Sequence, residues 1–139
     1  MSLVDARLEC SDAQALTASA DSTNVIDLTG TALQVGAGQP LYMHFNVTVA
    51  ADFTTGDETY SFGVATGAAT SLGTVLASRA IVAGTLGAGY NFSIAVPSTG
   101  VLRYIGAEYV LAGTSPSVTV DAYLSDQEVY SWQSYADAI

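Results

Sequence analysis

The sequence predicts an all-β protein, a single-domain antiparallel β-sandwich. Three observations carry this. Short runs of alternating apolar and polar residues recur along the chain, turn-forming residues separate them, and no stretch has the length and period of a crossover helix. Residues 41–49, LYMHFNVTV, state the pattern most clearly. Leu41, Met43, Phe45, Val47 and Val49 fall on one face of a strand; Tyr42, His44, Asn46 and Thr48 fall on the other. Strand side chains alternate with period two, so this is one core face and one wettable face, as in an antiparallel sheet.

The elements follow in order. Residues 1–22 show no clean period and read as an irregular N-terminal arm, with Leu3 and Leu8 as its anchors. Residues 25–28 form a short strand closed by Thr29-Gly30-Thr31, and 32–35 a second short piece. Gly36-Ala37-Gly38-Gln39-Pro40 is a tight entry into 41–49, with Pro40 where a missing donor costs little. Further strands span 59–66, 75–82, 90–96, 102–111 and 118–124, divided by small-residue loops and by Pro97-Ser98-Thr99-Gly100. Six clear strands at this spacing suit a two-sheet sandwich of the jelly-roll kind. The sandwich is expected over 23–124, with a tail over 125–139. Ser125-Asp126-Gln127-Glu128 fits a capping box for a short helix that groups Val129, Trp132, Ala136 and Ile139. An extended arm with Tyr130 and Trp132 on one side fits as well.

Composition bounds the function. At 139 residues there is room for one core. Hydrophobic residues are 50% and charged residues 12%, which excludes a disordered chain. No apolar run approaches the ~18 residues of a membrane span, and the opening MSLVDARLEC lacks the basic start and apolar core of a secretory signal. Three arginines, no lysine and thirteen acids give a net charge of −10. Phosphate backbones and anionic membranes would repel such a surface, so neither nucleic acid nor membrane is expected as a partner.

Catalysis is disfavoured by counting. The single histidine, His44, cannot make the two- or three-histidine metal sites that jelly rolls carry, so neither metal nor cofactor is expected. Cys10 is alone and reads as a small buried apolar residue. Gly36-Ala37-Gly38 and Gly87-Ala88-Gly89 precede strands, whereas a phosphate loop must open a helix. Asp57 and Glu58 are adjacent, so a strand would point them to opposite faces, poor geometry for an acid–base pair. The sequence thus points to a non-enzyme, and the tail's Tyr130, Trp132, Tyr135 and Ile139 join Leu3 and Leu8 as candidate interface residues.

A resemblance makes this specific. The segment SDAQALTA (11–18) running to STNVIDL (22–28), then the Gly36–Gln39 turn leading into Leu41-Tyr42, resembles the tailed-bacteriophage capsid cement, or decoration, proteins. It covers residues 8–124 and is strongest in the first third. The resemblance implies a jelly-roll fold, no enzymatic activity, and binding to the outer surface of a capsid shell. Its implied partners are the major capsid protein and further copies of the chain, as a dimer by preference or a trimer. It places the protein on the virion exterior, after synthesis in the bacterial host cytoplasm. The rival from another class is a carbohydrate-binding sandwich, with Tyr130, Trp132 and Tyr135 stacking on sugars.

Overall fold

The computed structural model describes residues 6–29 and 40–126. After a 3₁₀ turn at Ala6–Leu8, the strands are β1 (Glu9–Leu16), β2 (Ala20–Asp21), β3 (Ile26–Asp27), β4 (Tyr42–Val49) and β5 (Thr59–Gly67). They continue with β6 (Thr74–Ile81), β7 (Asn91–Ala95), β8 (Tyr104–Ala112) and β9 (Val118–Ser125). One sheet has the order β1-β9-β4-β7; the other runs β2-β8-β5-β6, with β3 also pairing β8.

All pairings are antiparallel, and they nest. β1 pairs β9, β2 and β3 pair β8, β4 pairs β7, and β5 pairs β6. The chain is therefore one long ribbon doubled back at residues 68–73. Its successive pairs are laid alternately into the two sheets, and β4–β9 and β5–β8 stitch each sheet together. That winding is the jelly roll. It lets a chain without crossover helices cover both inner faces by itself.

The core lies between the sheets. Met43, Phe45 and Val47 of β4 are fully buried, as are Phe62 and Val64 of β5 and Ile105, Ala107 and Tyr109 of β8. At the centre Phe45 and Phe92 of one sheet meet Phe62 and Tyr109 of the other, with ring centroids 5.1 to 6.1 Å apart in stacked, tilted and edge-on pairs. The Tyr109 hydroxyl shares a 2.7 Å hydrogen bond with Ser11, so the one polar atom of this cluster is satisfied at the β1 edge.

Four expectations are corrected. Residues 1–22 are not wholly an irregular arm, because β1 is built into the four-stranded sheet and buries Cys10, Ser11 and Leu16. Its alternation is scrambled by Ala13 at φ 47° and by register shifts between Glu9 and Ser11 and between Ser11 and Gln14. Val49 does not share the inner face of β4. A register shift after Val47 inserts Thr48 and turns Val49 outward, where it is 58% exposed. His44 does lie at an outward register between buried Met43 and Phe45, but that face is not wet there. Its ring is 1% exposed and stacks on Tyr123 of β9 at 4.9 Å and 6°. At the C-terminal boundary, Ser125 is the last residue of β9, opposite Tyr42.

Candidate interaction surface

The winding divides the loops between two poles. At one pole β1 begins beside the end of β9, with Glu9 opposite Tyr123, and β4 begins beside the same end, with Tyr42 opposite Ser125. The start of β1, the exit of β9 and the entry to β4 thus adjoin. Residues before 6, after 126 and between 29 and 40 all join the body here. The pole is firm beneath them. Arg103 holds Asp27 in a two-pronged ion pair at 2.9 and 3.0 Å, and the guanidinium keeps that carboxyl below its usual range. Thr66 donates to the Tyr104 carbonyl and accepts the Leu102 N–H, each at 2.8 Å, tying the β7–β8 connection to β5.

At the opposite pole the connections 50–58, 82–90 and 113–117 meet. The Ala51 N–H donates to the Leu86 carbonyl at 2.9 Å, and the Asp52 N–H donates to the Ser117 carbonyl at 2.8 Å. Asp57 accepts from the Thr114 N–H at 3.1 Å and the Thr114 hydroxyl at 2.9 Å. Glu58 accepts the Thr55 and Gly56 N–H groups within its own turn. Donation from hydroxyls and amides holds both carboxyls below their ordinary values. Above this clamp stand Val49, Phe53 at 54% and Val82 at 76% exposure.

Burial pushes the Cys10 thiol up to about 12, so it stays protonated and unreactive at neutral pH. Among the described residues no group of three or more His, Cys, Asp or Glu side chains converges to hold a metal ion.

Of the six interface residues named from the sequence, only Leu8 is described. It ends the 3₁₀ turn half-buried and packs against the chain's own core. Leu3, Tyr130, Trp132, Tyr135 and Ile139 lie outside the described residues, as do the proposed helix or arm of the tail and the piece at 32–35. Sequence reasoning missed the exposed apolar trio. Phe53, a lone aromatic in the turn sequence ADFTTGD, was the signal available for it.

Fold and surface together define an all-β jelly-roll domain built on a closed core with firm poles. Residues 10–124 match the model of the Bbp16 family, and the chain belongs to that family. The match begins at β1 and ends with β9, so it spans the whole body. No curated protein matches the chain.

Proposed function

We propose that this chain is a structural virion protein that binds the outer surface of a bacteriophage capsid and stabilises it by bridging major capsid protein subunits. One observation carries the reading. The residues that resemble capsid cement proteins, 11–18 and 22–28, supply most of β1 and all of β3 of the jelly roll that this resemblance requires. The geometry is in keeping with it. Both chain ends join the body at one pole, so residues 1–5 and 127–139 can reach one neighbouring surface together. Many modest contacts repeated by symmetry stiffen a shell without high affinity at any one of them. A lysine-free surface of net charge −10 suits the exterior of a head rather than a lumen packed with DNA.

The test is occupancy on purified, expanded capsids. Full-length chain should bind at a fixed ratio to the major capsid protein and raise the temperature at which heads rupture. Because β1 belongs to the body, the segments to delete are 1–5 and 127–139 rather than the whole of 1–22. Loss of occupancy in either truncation supports the bridging role of the ends. Absence of binding by the full chain would remove the capsid reading altogether.

A further inference from the structure

A bridge needs two contacts, and the chain ends join the body at one pole only. The opposite pole offers the other. β4 runs from one pole to the other: Tyr42 lies beside Ser125 near the exit of β9, and Val49 closes the strand at the far end. An eight-residue strand rises about 27 Å, so the two poles can meet different subunits of a shell.

The far pole presents apolar side chains on a fixed backbone. Phe53 and Val82, both strongly exposed, stand together. The Phe53 ring edge lies 3.9 Å from where a Cβ on Gly84 would sit, in the turn that Val82 opens. The Phe53 turn is pinned on both sides. The Asp52 N–H donates to the Ser117 carbonyl at 2.8 Å, and the Asp52 carbonyl accepts the Tyr60 hydroxyl. The Gly56 N–H donates to the Phe53 carbonyl at 3.1 Å. The Val82 carbonyl accepts the Thr85 N–H at 2.9 Å and the Thr85 hydroxyl at 2.7 Å. A lone exposed valine needs no explanation, but an aromatic held outward beside a second apolar side chain has the character of a binding anchor. Little ordering is left for a partner to impose.

The charge around this pair has one sign. The connections 50–58, 82–90 and 113–117 carry Asp52, Asp57 and Glu58 and no basic residue. Donated hydrogen bonds keep Asp57 and Glu58 ionised, and Asp57 is exposed. A complementary partner therefore offers an apolar pocket edged with lysine or arginine. A second copy of the chain is a poor match. It has no lysine, and of its three arginines Arg79 lies over the Phe92 ring and Arg103 is paired with Asp27.

We infer that Phe53 and Val82 form the second contact of the bridge, seated in an apolar, basic-edged pocket on a major capsid protein subunit. The inference rests on the capsid reading and adds to it the surface, the anchors and the chemistry of the partner.

Binding of the full chain to purified, expanded capsids tests it. Phe53→Ala combined with Val82→Ala, both at exposed positions, should weaken binding about tenfold or more. Val110→Ala removes exposed apolar surface from β8 instead and should leave binding unchanged. Thr54→Lys should weaken binding more than Thr54→Glu, although both lose the same hydroxyl contact to Asp52. Binding unchanged by the double substitution, while circular dichroism shows the fold intact, overturns the inference and leaves the capsid reading standing. Equal effects of Thr54→Lys and Thr54→Glu would overturn the basic-edged partner. If the wild-type chain does not bind capsids at all, the capsid reading fails and the inference fails with it. Sedimentation of the free chain covers the rival occupant. An oligomer that the double substitution dissociates would put this pole between copies and overturn the inference.

Discussion

Glu108 lies in the middle of β8 and Asp57 just before β5, and their surroundings act on the two carboxylates in opposite directions. Glu108 loses water and faces Asp21, so its folded pKa is raised above the ordinary 4.5. Its charge costs stability at neutral pH, and the cost disappears as pH falls through the raised value. Asp57 accepts from Thr55 and Thr114, so its folded pKa is lowered from 3.8. It contributes stability that is present above the unfolded pKa and lost as pH falls through the lowered one. Glu108→Gln should therefore give a small rise in the urea midpoint at pH 7, with the gain vanishing as the wild-type carboxyl becomes protonated. Asp57→Asn should lower the midpoint at pH 7, with the deficit closing in acid below pH 3.8. Urea titrations across pH check both. Equal pH dependence in the two variants would contradict these assignments.

Strands were legible in the sequence to the extent that they kept their period. β7 and β9 bury alternate residues along a single inner face, and β4 and β8 do so apart from His44 and Gly106, so LYMHFNVTV and NFSIAVP reveal them directly, whereas β5 is buried on both faces from Phe62 onward. β1 was hidden because two register shifts and one left-handed alanine put Cys10 and Ser11 both inside. β2, at two residues, is too short to show a period, whereas β3 falls within the short strand read at 25–28. Alternation specifies a face but not a neighbour, so neither the burial of His44 beneath the outer face nor the adjoining of the start of β1 and the exit of β9 at one pole was readable. The connections contribute their own stability. The Tyr60 hydroxyl donates to the Asp52 carbonyl and accepts the Ser117 N–H at 3.1 Å, joining β5 to the β4–β5 and β8–β9 connections. Tyr60→Phe keeps the buried ring but orphans both partners, which predicts a loss of about 1–3 kcal/mol. Chemical denaturation measures it, and exchange of the Ser117 amide should quicken in the same variant.

Across the whole molecule, charge and fold are out of register in a way that neither shows alone. The gap in acids over 59–107 is plain in the sequence, but only the jelly-roll winding brings β6 and β7 to one side and leaves Glu9, Asp12 and Asp21 on the other. This polarity fixes the sign of a salt effect. Two chains of net charge −10 repel over a Debye length, about 30 Å at 0.01 M salt and about 8 Å at 0.15 M. A contact held by backbone hydrogen bonds and short side chains is screened little by salt. Raising ionic strength from about 0.01 M to about 0.5 M should therefore tighten self-association, because the repulsion is screened while the contact survives. An association held by Arg79 or Arg103 against the acids of another copy would weaken over the same range. Sedimentation at several salt concentrations separates the two, and weakening with salt would show a contact held by arginine against acid.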